Sequence, residues 1–179
     1  MSNNFLITGS PGSGKTTVLE KVISNLEEKD LEVGGIYCPE IRSEGRRKGF
    51  EIVDIRTGES EILAHVNQDQ GPKVGKYRVN VPNVDDISKT AISSALEECD
   101  VLVIDEIAPM EVYSEEFKRQ VRKVLDSDKP LLAAVHRRSR SGFIGEVKNR
   151  GDTDMFEVDE KSRDELPKKL TRLVWESLS

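Results

Sequence analysis

Near the amino terminus, Gly9-Ser10-Pro11-Gly12-Ser13-Gly14-Lys15-Thr16 follows a short apolar run, Phe5-Leu6-Ile7, and opens a helical pattern. No other stretch constrains the fold as tightly. The segment matches G-x-x-x-x-G-K-[ST], and a strand before it with a helix after it is the context that gives such a match meaning. Glycines reach backbone conformations closed to other residues, so the chain can wrap around an anion. Successive N–H groups then point inward, and the helix N-terminus adds partial positive charge. In such a P-loop, Lys15 is expected to reach the β- and γ-phosphates of a nucleotide. The Thr16 hydroxyl is expected to ligate Mg²⁺, and Thr17 to lie near the α-phosphate.

A second motif fits the first. Val101-Leu102-Val103-Ile104 is a fully apolar strand that ends in Asp105-Glu106. An aspartate at that place suits a Walker B residue that holds Mg²⁺ through water. Glu106 is then placed to orient or activate an attacking water. A carboxylate beside the metal-holding aspartate favours hydrolysis over transfer to a bound acceptor. Two other classes stay open on the residues alone: a nucleoside or nucleotide kinase, and a nucleotide-dependent switch acting on nucleic acid.

The rest of the chain alternates strands and helices. Val18, Val22 or Ile23, and Leu26 recur at helical spacing over residues 15–29. Strands are expected over 32–38, 101–104, 131–135 and 155–158, and helices over 82–98, from Ser114, over 143–148 and over 166–178. Ser114 suits an N-cap, with Glu115 and Glu116 in the first turn. Pro167 suits the first turn of the last helix. Residues 50–55 and 61–66, with the turn Thr57-Gly58-Glu59 between them, read as an inserted antiparallel hairpin. Residues 39–48 and 67–76 read as loops, and 77–81 as a short strand. Continuously apolar strands near the motifs imply a mainly parallel sheet covered by helices on both faces. The expectation is one α/β P-loop domain over 1–179.

Composition narrows the partners. Charged residues make up 34% of the 179, but the net charge is −6, so no global basic field favours nucleic acid or an anionic membrane. Leu131–Val135, among the longest apolar stretches, is far too short to span a bilayer. The start of the chain lacks the basic and apolar regions of a signal peptide, so a cytoplasmic, soluble protein is expected. Cys38 and Cys99 have neither metal spacing nor a disulfide pattern. A monomer is the favoured expectation.

Other residues are candidates for the site. Glu111 lies six residues past Asp105. His136 follows the strand 131–135, where a polar residue can sense the γ-phosphate. Arg137, Arg138 and Arg140 follow it, and one of them could stabilise transition-state charge. Arg42, Arg46, Arg47 and Lys48 form a second basic cluster, while His65 reads as structural.

Several combinations are more specific than the two motifs. They are Gly35-Ile36-Tyr37 leading to Glu40-Ile41-Arg42, Gly45-Arg46-Arg47-Lys48-Gly49-Phe50, Val74-Gly75-Lys76-Tyr77, and Asp105-Glu106-Ile107 with Met110-Glu111. With these, nearly the whole chain resembles the small nucleoside-triphosphatase family known from thermophilic microbes and from the human cancer-related nucleoside-triphosphatase. The resemblance implies a RecA-like strand arrangement and slow, Mg²⁺-dependent hydrolysis of ATP, GTP and other triphosphates to diphosphate and phosphate. It raises Arg46, Arg47 and Glu111 as site residues. In one respect the chain departs from it: many members carry Gly-Lys before the Met-Glu pair, and here Ala108-Pro109 stands instead, without the basic residue.

Overall fold

The computed structural model describes residues 2–178. Met1 and Ser179, the two ends of the expected domain, lie outside the described residues. Ten strands form one sheet in the order β10-β1-β9-β8-β2-β4-β5-β7-β6, with β3 paired to β4. The first five of these run parallel: β10 (Thr153–Glu157), β1 (Asn4–Thr8), β9 (Leu131–Val135), β8 (Val101–Ile107) and β2 (Val33–Tyr37). Counted along the chain, their order is 5-1-4-3-2, the RecA-like arrangement that the resemblance implies. β9 therefore lies between the strand that feeds the Gly-rich loop and the strand that ends in the acidic pair.

Alternation decides which face each residue joins. Phe5 and Ile7 pack with Val18, Leu19, Val22 and Leu26 of α1 (Lys15–Glu27) and with Leu166, Leu170 and Val174 of α6 (Leu166–Ser177). Leu6, Ile104 and Val135 face the other way, onto α2 (Val81–Ile87), α3 (Ser93–Glu98), α4 (Glu115–Leu125) and α5 (Gly142–Lys148). Helices thus cover both faces, as continuously apolar parallel strands require. Between α2 and α3 the helix widens to a π turn over Ser88–Ile92, where the Thr90 hydroxyl donates to the Asp86 carbonyl at 3.0 Å. Ser114 caps α4 by accepting from the Phe117 N–H at 2.9 Å.

The antiparallel half is larger than the expected hairpin. Besides β4 (Arg46–Asp54) and β5 (Ser60–His65), it contains β3 (Glu40–Ser43), β6 (Lys73–Val74) and β7 (Tyr77–Val79). Residues 39–48, read as a loop, are instead most of a β3–β4 ribbon. Glu44 and Gly45 join its strands with φ of 53° and 75°, the two positive values that a tight two-residue hairpin turn needs. Charges on both faces of an exposed ribbon hide the alternation that normally betrays a strand. Residues 67–76, also read as a loop, contain the two residues of β6.

The ribbon's direction follows from register. Tyr37, the last residue of β2, pairs with Val53 of antiparallel β4 and with Asp105 of parallel β8. The residues of β4 before Val53 therefore run past the carboxyl ends of the parallel strands, where ligands of open α/β sheets bind.

Candidate active site

The Gly-rich loop leaves β1 and enters α1 through glycines whose positions strain or crowd any side chain. Gly12 and Gly14 have φ of 77° and 103°. A Cβ on Gly9 would fall 2.7 Å from the Val158 carbonyl oxygen. Gly14 caps α1 in the left-handed region, with no side-chain cap and no acidic residue in the first turn. The first amides of α1 therefore carry no capping side chain and no acidic side chain of their own turn, which leaves them open to an anion at the helix N-terminus. The Ser13 N–H donates to the Ser10 carbonyl at 3.0 Å and closes the curl. Pro11 stands exposed on its rim.

Two contacts join this loop to the acidic pair. The Thr16 hydroxyl donates to Asp105 Oδ2 at 3.0 Å, and Lys15 Nζ stands 3.6 Å from Glu106 Oε2. Neighbours in a regular strand point to opposite faces, so both carboxylates could not serve one cradle. β8 resolves this with a bulge: Asp105 pairs with Ala134 and Ile107 with Val135, leaving Glu106 as the extra residue. A bulge re-aims a side chain in this way. The Asp105–Glu106 peptide is cis.

Burial shifts the protonation of Asp105 and Glu111. It pushes the Asp105 carboxyl up to about 6, against the hydrogen bond from Thr16; Glu106 raises it further and Lys15 opposes the rise. Glu106 Oε2 is buried and has no hydrogen-bond partner among the described residues. Glu111, in the short 3-10 turn Glu111–Tyr113, is only 3% exposed. Burial drives its carboxyl well above the usual range, and the charges of Glu106 and Asp105 add to that. Cys38 is drawn into the same neighbourhood. Burial pushes its thiol well up, followed by the charges of Glu111, Asp105 and Glu106. The sequence marks Cys38 only as a cysteine without metal spacing or a disulfide pattern. The signal was its place directly after Tyr37, the register partner of Asp105.

The remaining candidates fall elsewhere. His136 bonds within its own loop, with Nδ1 2.7 Å from Ser139 Oγ, while its N–H donates to the Ile107 carbonyl at 3.0 Å. Arg137, the next residue, does reach the cradle: Nη1 donates to Ser10 Oγ at 2.6 Å, and Nη2 lies 3.4 Å from Glu157 Oε1. Arg46 and Arg47 lie on the β3–β4 ribbon. Arg47 donates to the Tyr77 hydroxyl at 2.8 Å, pairs with Glu40 at 3.3 Å, and packs its guanidinium 5.2 Å from the Phe50 ring centroid. His65 accepts from the Asn67 N–H in a turn, and both cysteines are free. Ala108 is buried and Met110 packs on the core, so no basic side chain enters between the acid pair and Glu111.

The donor set fits Mg²⁺. Among the described residues no group of three or more His, Cys, Asp or Glu could hold a metal. An ion that keeps waters and phosphate oxygens takes only about one carboxylate and one hydroxyl from the protein. Thr16 and Asp105, already in contact, supply those two.

A model of the NTPase family matches residues 4–171. Nucleoside-triphosphatase THEP1 of Thermofilum pendens is 45% identical over 174 residues, covering 97% of this chain and 96% of that one. THEP1 of Methanosarcina acetivorans is 46% identical over 166 residues, covering 92% and 93%. The crystal structure of THEP1 from the hyperthermophile Aquifex aeolicus superposes with a TM-score of 0.85 at 26% identity, covering 96% of this chain and 98% of that one. The solution structure of a human cancer-related nucleoside triphosphatase gives 0.81 at 29%, covering 98% and 99%.

Proposed function

The chain belongs to the NTPase family, and we propose that it hydrolyses nucleoside triphosphates to diphosphate and phosphate with Mg²⁺, at the junction of residues 9–17 with Asp105 and Glu106. The observation that carries this reading is the pair of contacts Thr16–Asp105 and Lys15–Glu106. They bring the triphosphate-holding end of α1 against both carboxylates at the end of β8.

The chemistry follows from that geometry. The loop amides and Lys15 hold the β- and γ-phosphates and stabilise the charge that develops between them. Thr16 and Asp105 would hold Mg²⁺, which would neutralise phosphate charge and orient the γ-phosphoryl group. The Glu106 carboxylate accepts a hydrogen bond from water and takes its proton as the water oxygen bonds to the γ-phosphorus. The bond from that phosphorus to the bridging oxygen breaks, and the electron pair leaves with the diphosphate. Arg137, anchored at Ser10, offers the cradle a cation. The cradle grips phosphates rather than the base, which supports broad use of ATP, GTP and other triphosphates.

The same reading takes the protein as a cytoplasmic monomer acting on free nucleotides. Its net charge of −6 argues against nucleic acid as a partner. No helix among the described residues is long and apolar enough to cross a membrane.

The test is release of phosphate and diphosphate across a panel of nucleoside tri-, di- and monophosphates, with Mg²⁺ or with a chelator, in the presence and absence of nucleoside acceptors. Mg²⁺-dependent phosphate release from several triphosphates is expected. Transfer of the γ-phosphate to an added acceptor would replace this reading with a kinase.

A further inference from the structure

Lys148 is a cation without an obvious task in the proposed reaction. It sits at the end of α5, and its Nζ donates to three backbone carbonyls: His136 at 2.6 Å, Ser139 at 2.7 Å and Arg137 at 3.1 Å. Three oxygens converging on one ammonium resemble the coordination of a small cation. They are the carbonyls that a loop leaving a strand end cannot satisfy with a sheet ladder. Keeping the charge there is costly, because burial lowers the Lys148 pKa and nearby Arg140 adds to that.

The clamped segment connects the parts of the proposed active site. At one end the His136 N–H holds the Ile107 carbonyl, at the end of the strand that carries Asp105 and Glu106. Next to it, Arg137 reaches Ser10 in the phosphate cradle. On the other side, α5 approaches so closely that a Cβ on Gly145 would meet the Arg140 carbonyl oxygen at 2.5 Å. Arg137 is itself exposed, and its guanidinium must pay rotamer entropy to stay at Ser10. Fixing its backbone from beneath lowers that cost.

We propose that Lys148 is a positioning residue for triphosphate hydrolysis: by clamping the carbonyls of residues 136, 137 and 139 it presents Arg137 to the phosphate cradle. This rests on the functional reading above. Lys148 touches no phosphate. Its influence passes through Arg137.

The experiment is a double-mutant cycle with Lys148→Met, Arg137→Ala and the pair, measuring kcat and KM for Mg·ATP. Lys148→Met is expected to lower kcat about tenfold with KM changed less than about threefold, the pattern of a contact made chiefly in the transition state. In the Arg137→Ala background the same substitution should cost less than about twofold, because the route is already cut. Trypsin should also cut after Arg137, Arg138 or Arg140 sooner in Lys148→Met, a readout independent of turnover. A kcat within about twofold of the parent, or losses that multiply in the double variant, would overturn the proposal. Should Lys148→Met fail to fold, Lys148→Arg carries the same cycle. Its planar fork serves fewer of the three carbonyls, so an intermediate loss, absent when Arg137 is alanine, is expected, and a full or independent loss refutes the clamp. A parent protein that releases no phosphate from any triphosphate refutes the functional reading, and this inference with it.

Discussion

Replacing Asp105 with asparagine should stabilise the metal-free protein while destroying its activity. Asparagine keeps an oxygen for the Thr16 hydroxyl and removes the charge. In the native protein that charge is expensive, because burial pushes the carboxyl from its ordinary 3.8 up to about 6. A carboxyl raised on folding holds its proton in the folded state while the unfolded chain has lost it. Its contribution to stability is therefore complete below about pH 3.8 and is lost as pH rises through about 6. The interval corresponds to about 3 kcal/mol at pH 7.5 and to about 0.5 kcal/mol at pH 4. For a chain of this length that is a gain of about 6–12 °C in Tm at the higher pH and about 1–2 °C at the lower. Thermal unfolding by circular dichroism in a chelator, at both pH values, measures it. Phosphate release with Mg²⁺ should fall by about 10²-fold or more, and Mg·ADP should no longer raise Tm. A variant no more stable than the parent at pH 7.5, or equally stabilised at both pH values, would refute the idea that the Asp105 charge is held at a cost until the metal arrives.

Two further outcomes are expected. Glu106→Gln should retain Mg·ATP binding by calorimetry but cut phosphate release by about 10²-fold or more; near-normal turnover would remove Glu106 from the proton transfer. Gly35→Ala should cost about 3–5 kcal/mol in denaturant unfolding, because Gly35 has φ 131° and a Cβ there would overlap the Val103 carbonyl that β2 and β8 share, whereas Gly45→Ala, with open space around it, should cost about 1 kcal/mol.

The parts legible in the sequence were those whose chemistry is local. Residues 9–17 announce themselves because a phosphate cradle is built from consecutive amides, and one strand before and one helix after suffice to recognise it. Val101–Ile104 shows as a buried strand because both its faces are covered. The bulge that turns Asp105 and Glu106 to one side has no local sign, since it depends on pairing with Ala134 and Val135. Arg137 was visible only as one of three clustered arginines. What distinguishes it is Ser10, 127 residues away in the chain. Glu111 was already a candidate, but neither its burial nor that of Cys38 has a local sign, because packing against distant residues removes their water. The β3–β4 ribbon was missed for the opposite reason: it is so exposed that no apolar face records its alternation.

The place of β1 in the sheet has a consequence for when function can appear during synthesis. Phe5 pairs with Leu132 on one side and with Asp154 on the other. Both neighbours of the strand that launches the phosphate loop thus come from the last third of the polypeptide. A nascent chain that has emerged as far as β8 holds the glycines, Lys15 and the acidic pair, yet has no rail between them, because β9 separates β1 from β8. Contacts of such long sequence separation form late. Nucleotide capture is then a property acquired only after residues 131–157 have been made, and a triphosphate added to translating ribosomes would report their arrival.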